Sequence, residues 1–194
     1  NGDVLAVASK STLYLFSRPA DWAVDATMAI PGISSLAVHS NAVMVGDPTG
    51  GADGAGQVRL FERDGVGAPW SWSVNIVPTD VATPPRFGQS VSFCSEGWIL
   101  VGAPGDEGDS GAAYSFSRID GLDDTKWDFA NPGKLVADDM STLPAKNFGQ
   151  SISCFREFGF VTSGVQGDED KSSVNFFERY GIDLSGTETD KSMI

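Results

Sequence analysis

The sequence predicts an all-β chain built from repeated antiparallel sheets of four strands, each sheet covered on both faces. Three observations predict it. The tetrapeptide Phe87-Gly88-Gln89-Ser90 returns as Phe148-Gly149-Gln150-Ser151, 61 residues further on, and a run ending in Phe-Ser/Glu-Arg occurs at Phe16, Phe61, Phe116 and Phe177. Runs such as Ala42-Val43-Met44-Val45 and Trp98-Ile99-Leu100-Val101 are apolar at both parities, which in a strand means that neither face meets water. Glycine, proline, aspartate and serine interrupt these runs at short intervals, and no apolar pattern of helical period persists for three turns. A two-sheet sandwich would leave one face of each sheet wet and alternate more cleanly. Stacked sheets arranged around an axis, a β-propeller, bury both faces of an antiparallel sheet and fit better.

Each unit reads in the order strand, strand, strand, tryptophan-bearing strand. The first, residues 2–32, carries Val4 to Ala8, Phe16-Ser17-Arg18 and Trp22 but lacks the opening strand. The second, 33–85, has Ala42 to Gly46, Phe61-Glu62-Arg63 and Trp72, and the third, 86–146, has all four elements, with Trp98 to Ala103, Phe116-Ser117-Arg118 and Trp127. The fourth, 147–194, has Phe160 to Gly164 and Phe177-Glu178-Arg179, but its tail from Tyr180 lacks the tryptophan strand. Three and a half units leave two apolar sheet faces uncovered, and we expect further sequence or another protein to cover them.

Recurrence marks these residues as scaffold. Gly88, Gly102, Ala103 and Gly149 permit close backbone approach, and Phe87 and Phe148 fill the space between sheets. Arg18, Arg63, Arg118 and Arg179 are expected to bond a neighbouring strand or loop. Trp22, Trp72 and Trp127 are expected to pack between sheets, whereas Trp70, beside Pro69, is the candidate exposed aromatic for partner binding.

Phe87-Gly88-Gln89-Ser90-Val91, Val101-Gly102-Ala103-Pro104-Gly105-Asp106 and Ser110-Gly111-Ala112-Ala113-Tyr114-Ser115-Phe116 together resemble the FG-GAP repeat of integrin α-chain-like propellers. Residues 86–136 lie close to that pattern, and 33–80 and 147–179 are degenerate copies. The resemblance implies a seven-bladed propeller, with blades beyond this chain, and a surface, secreted or lumenal setting. It also implies calcium held in an aspartate-rich loop between the first two strands. Here that loop is reduced to Ser95-Glu96-Gly97, His39-Ser40-Asn41 and Arg156-Glu157-Phe158-Gly159, too short to supply six to eight oxygen ligands.

The acids lie instead in the next connection: Asp47 and Asp53; Asp106, Glu107 and Asp109; and Asp168, Glu169 and Asp170. A solvated hairpin is the plain reading of these turns. The alternative is a weak divalent-cation site on Asp106, Glu107, Asp109, Asp168, Glu169 and Asp170. Alternating strand directions bring these connections and the unit-to-unit connections to one end, giving eleven acids against Arg86, Lys146 and Lys171. That polarity makes Asp47, Asp53, Asp106, Glu107 and Asp109, with Trp70, the candidate surface for a basic protein partner.

Composition supports a soluble globular class, with 41% hydrophobic residues in 194, and 26 acidic against 13 basic residues give a net charge of −13. That charge disfavours nucleic acid and anionic membranes, and no apolar run is long enough to span a bilayer. Residues 1–30 do not read as a signal peptide, and the chain begins at Asn1 inside a strand-like run, so we expect a longer parent.

Cys94 and Cys154 stand seven and six residues after Phe87 and Phe148. Alternation then places them on opposite faces of their sheets, and the expectation is two buried free thiols. With His39 as the single histidine and no Gly-x-Ser-x-Gly elbow, nucleophilic catalysis has little support. The adjacent pairs Asp123-Asp124 and Asp138-Asp139 lack the facing geometry of two-carboxylate hydrolysis. The expected function is therefore a non-catalytic interaction or structural propeller without a cofactor. An accessory propeller beside a catalytic domain elsewhere in the parent, or a cation-dependent adhesion module, are the alternatives.

Overall fold

A computed structural model describes residues 3–18, 21–77, 85–95, 97–118, 127–137, 145–165 and 168–178. These form four antiparallel sheets. Sheet I comprises β1 (Val4–Ala8), β2 (Thr12–Ser17) and β3 (Ala23–Ala29), in that spatial order. Sheet II is the meander β4 (Ser35–His39), β5 (Ala42–Asp47), β6 (Gln57–Glu62) and β7 (Ser71–Ile76), and sheet III repeats it with β8 (Ser90–Ser95), β9 (Trp98–Ala103), β10 (Ala112–Arg118) and β11 (Trp127–Leu135). Sheet IV contains β12 (Ala145–Lys146), β13 (Ile152–Phe155), β14 (Phe158–Val165) and β15 (Asp168–Glu178), with β12 and β13 both on one edge of β14 and β15 on the other.

The two-parity apolar runs are the second strands, buried along their whole length in β5 and β9. Their side chains divide by parity between two cores. Ala42 and Met44 of β5 join Ile99 and Val101 of β9 in the core between sheets II and III, while Val43 and Val45 join Leu13 and Leu15 between sheets I and II. The other parity of β9, Trp98 and Leu100, packs towards Ile152 of sheet IV. The sheets therefore stack front to back, each strand burying alternate residues against a different neighbour.

The stack is joined by a repeated backbone contact. The Phe-Gly turn that opens one sheet lies against the end of the second strand of the sheet before it, and a Cβ on Gly46 or Gly102 would sit 2.0 Å from the carbonyl oxygen of Gly88 or Gly149. Gly88 and Gly149 themselves have φ of 88° and 90°, a conformation that side chains with a Cβ rarely adopt. Ser35 Oγ donates to the Gly88 carbonyl at 2.9 Å and Ser90 Oγ to the Gly149 carbonyl at 2.8 Å, so the same hydroxyl closes both joints. Phe87 and Phe148 are fully buried; Phe87 meets Tyr114 and Phe116 edge-on, and Phe148 meets Phe177.

Cys94 and Cys154 form a disulfide between β8 and β13, with Cα atoms 4.8 Å apart. The expectation of free thiols is thus wrong, although the parity behind it holds. In a front-to-back stack the rear face of sheet III meets the front face of sheet IV, so thiols on opposite faces of successive sheets point at each other.

Candidate functional site

The acid-bearing connections are bound into the scaffold more tightly than hairpin chemistry suggests. In sheet II, Asp47 ends β5 with its carboxylate almost entirely buried, against Gly32 and Gly50, where an added Cβ would lie 2.3 and 2.1 Å from its oxygens. It accepts hydrogen bonds from Thr49 Oγ1 at 3.3 Å, Gln57 Nε2 at 3.2 Å and Arg59 Nη2 at 3.3 Å. Asp53, in the short turn Ala52–Gly54, is exposed with φ of 55°.

In sheet III the chain turns sharply at Asp106–Asp109. Asp106 is buried and receives Tyr114 Oη at 2.6 Å, the Glu107 N–H at 2.9 Å and Lys134 Nζ at 2.9 Å. Lys134 Nζ also contacts Glu107 Oε1 at 2.8 Å. Burial alone would push the Asp106 carboxyl up, but the hydroxyl, ammonium and amide donors outweigh it and hold the group below the usual carboxylate value. Burial acts on Lys134 in the opposite sense, and its two carboxylate partners raise it above the usual amine value. Asp109 is exposed and pairs with Arg86 at 3.2 Å; the same Nη2 donates to Asn147 Oδ1 at 2.9 Å, linking the residues just ahead of the two Phe-Gly turns.

Four of the candidate acids therefore contact cations that the end-by-end charge count omitted or did not pair: Asp47 with Arg59, Asp106 and Glu107 with Lys134, and Asp109 with Arg86. Arg59 lies within β6 and Lys134 within β11, and neither position signals from sequence that its side chain reaches the preceding connection. Asp168, Glu169 and Asp170 are placed differently from expectation: they begin β15 instead of occupying a hairpin loop. Val165, at the end of β14, pairs with Asp168, at the start of β15. Asp80, Asp138 and Asp139 of the charge count, the Asp123-Asp124 pair and the tail from Tyr180 lie outside the described residues.

Trp70 is not a projecting aromatic. It is half-buried against the core between sheets I and II, its Nε1 donates to Asp25 Oδ2 at 3.0 Å, and the Arg63 guanidinium lies 4.7 Å from its ring centre. Arg63 is fully buried at its side chain and bridges sheets, donating to Asn41 Oδ1, Ser17 Oγ and Asp25 Oδ2 at 3.0, 2.9 and 2.9 Å. This is the neighbouring-strand role expected of the repeated arginine. Arg18 is exposed, the Arg118 side chain and Arg179 lie outside the described residues, and Asp25 was missed altogether. Asp25 is the extra residue of a β-bulge, since Leu15 pairs with Ala26 and Phe16 with Val24, and the bulge turns its carboxylate towards sheet II. Trp127 is buried as expected, but Trp22, in the turn before β3, and Trp72, on β7, are 43% and 62% exposed, against expectation.

Calcium of the kind implied by the resemblance does not fit the first-to-second connections. His39 pairs with Ala42 and Phe155 with Phe158, leaving two-residue turns, and the Asn41 oxygen is already an acceptor for Arg63. Among the described residues, no group of three or more His, Cys, Asp or Glu side chains is placed to hold a metal ion. The described residues contain no helix long and apolar enough to cross a membrane.

A comparison with curated proteins finds no match. The family model described as FG-GAP repeat matches residues 70–116, from the start of β7 through β8 and β9 into β10, and this stretch of the chain is an FG-GAP repeat.

Proposed function

We propose that the four sheets are blades of a β-propeller and that the chain is a non-catalytic interaction or structural module of a larger surface, secreted or lumenal assembly. The observation that carries this reading is the repeated joint, in which glycine, phenylalanine and serine of one sheet are fitted to the backbone of the next. Residues committed to that joint are scaffold, which leaves contact chemistry to the unrepeated connections. The Cys94–Cys154 disulfide supports an oxidising compartment, where such bonds persist.

The partner-facing surface is the acid-bearing end, reduced to the acids that remain accessible. Asp47 and Asp106 are buried and neutralised, whereas Asp53 is exposed and Glu107 and Asp109 are 56% and 65% exposed at their side chains. A basic protein surface is the complementary partner. Titration calorimetry with a lysine-rich peptide tests this: D53N/E107Q/D109N should weaken binding at least tenfold, with the wild-type affinity falling as salt rises. Equal affinity for both proteins would refute the assignment.

A further inference from the structure

Sheets II and III, and sheets III and IV, are fastened at two places along their first strands. At the start of β4 and of β8 the hydroxyls of Ser35 and Ser90 close the Phe-Gly joint. Four residues further along stand His39 and Cys94, and their partners on the next sheet are Phe93 and Cys154, each six residues after the Phe of its Phe-Gly turn. The two pairs therefore occupy one repeated position. Between sheets II and III it is filled by a ring contact, with the His39 and Phe93 centroids 5.8 Å apart; between sheets III and IV it is filled by the disulfide.

The non-covalent contact differs as well. Strand register matches Gly159, Ser163 and Asn175 on the front of sheet IV to Ile99, Ala103 and Tyr114 on the front of sheet III. Ile99, Ala103 and Tyr114 are fully buried in the core between sheets II and III. Their counterparts bring less to the contact: Gly159 has no side chain, and Ser163 and Asn175 bond within sheet IV, Ser163 Oγ with Ser173 Oγ at 2.7 Å and Asn175 Nδ2 to the Val161 carbonyl at 3.4 Å. Stacked sheets are held by the apolar area they bury, so sheet IV relies on its cross-link where sheet III does not rely on its ring pair. At the joint, by contrast, the Asn147 N–H donates to the Asp109 carbonyl at 2.8 Å and the Phe148 N–H to the Ser110 carbonyl at 2.9 Å, bonds that do not involve the cysteines.

We propose that the Cys94–Cys154 disulfide is a redox latch: a dithiol reductant frees sheet IV from sheet III at the latch end, with the Phe-Gly joint as the hinge, while sheets I to III stay stacked. A thiolate of the dithiol attacks Sγ of Cys154, the half-buried member of the pair, and the S–S bond breaks with Cys94 leaving as a thiolate that takes up a proton. The second thiol of the dithiol then attacks the mixed disulfide, releasing Cys154 and leaving the reductant as an internal disulfide, so that two electrons and two protons pass to the cysteine pair. Opening uncovers Trp98 and Leu100, which are buried beside the disulfide.

Hydrogen–deuterium exchange of the 194-residue chain, read by mass spectrometry with and without dithiothreitol, tests the proposal. Amides of β13 and β14 should exchange at least about tenfold faster after reduction, while those of β5 and β6 stay within about twofold. Reoxidation with oxidised glutathione should restore the original protection. The double variant Cys94→Ala/Cys154→Ala should resemble the reduced protein and ignore dithiothreitol, and His39→Ala, which removes the equivalent ring contact, should leave β4 and β8 protected. Unchanged exchange in β13 and β14 on reduction overturns the proposal. So does acceleration shared equally by all four sheets, which would make the disulfide a staple of the whole fold, or protection that does not return on reoxidation. A response to dithiothreitol in the double variant, or opening of sheets II and III by His39→Ala, contradicts it equally.

Discussion

Substituting Gly102 by alanine probes the joint between sheets III and IV at its tightest point. The added Cβ would lie 2.0 Å from the Gly149 carbonyl oxygen and 2.4 Å from Ser90 Oγ. The first obstacle is backbone and cannot rotate away, and the second can do so only by giving up the hydrogen bond to the same carbonyl that closes the joint. Restoring ordinary contact requires the sheets to part by about an ångström at this edge, which costs roughly 1–3 kcal/mol as overpacking. Losing the Ser90 hydrogen bond adds about 1 kcal/mol. The expected destabilisation is therefore about 2–4 kcal/mol, read as a lower urea midpoint at unchanged slope. Gly65→Ala is the matched control, because a Cβ there meets nothing within 4 Å; it should be neutral or stabilise by up to about 1 kcal/mol. A Gly102→Ala loss below about 0.5 kcal/mol would refute the close-approach reasoning, whatever the control does.

Three further outcomes follow from the same contacts. Arg63→Ala should cost about 2–4 kcal/mol, because it strands Asp25 and empties a buried bridge; a double-mutant cycle with Asp25→Ala in urea unfolding should show coupling, and additivity would contradict the bridge. The depressed Asp106 carboxyl contributes stability that is present above its unfolded-state value and lost as pH falls through the lower folded value. The stability gap between wild type and Asp106→Asn should accordingly close in acid, and a gap independent of pH would show that the Tyr114 and Lys134 contacts do not set it. Reduction of the disulfide, which closes a loop with a sequence separation of 60 residues, should lower stability by about 4 kcal/mol in the chain-entropy view, measured by denaturation with and without reductant.

What the sequence made legible was what repeats. Apolar residues at both parities of Ala42 to Val45 and Trp98 to Val101 require two covered faces, and both cores are present. Glycine at 102 and 149 signalled close approach because no side chain is compatible with it. What stayed hidden depends on contacts between units. The cysteine parity was read correctly but interpreted within single sheets, whereas stacking turns opposite faces into facing ones. Asp25 gave no signal, since a bulge aims it and sequence alternation assumes no bulge. Trp70 and Trp72 exchanged the roles expected of them because strand pairing, not distance along the chain, sets the register: Glu62 pairs with Ser71, so Trp70 falls opposite Arg63 as Trp127 does opposite Arg118, and it is the one held by Asp25 and Arg63. The acidic end looked more negative than its accessible surface is, because Arg59 and Lys134 sit on strands and reach carboxylates in the connections.

The claim on which the stack depends is that the rear of sheet III faces the front of sheet IV. Digestion of the unreduced protein and mass spectrometry of its peptides tests this most directly. Peptides containing Cys94 and Cys154 should be recovered as one linked species that separates on reduction; recovery of both cysteines as free thiols from protein kept under oxidising conditions would contradict the account.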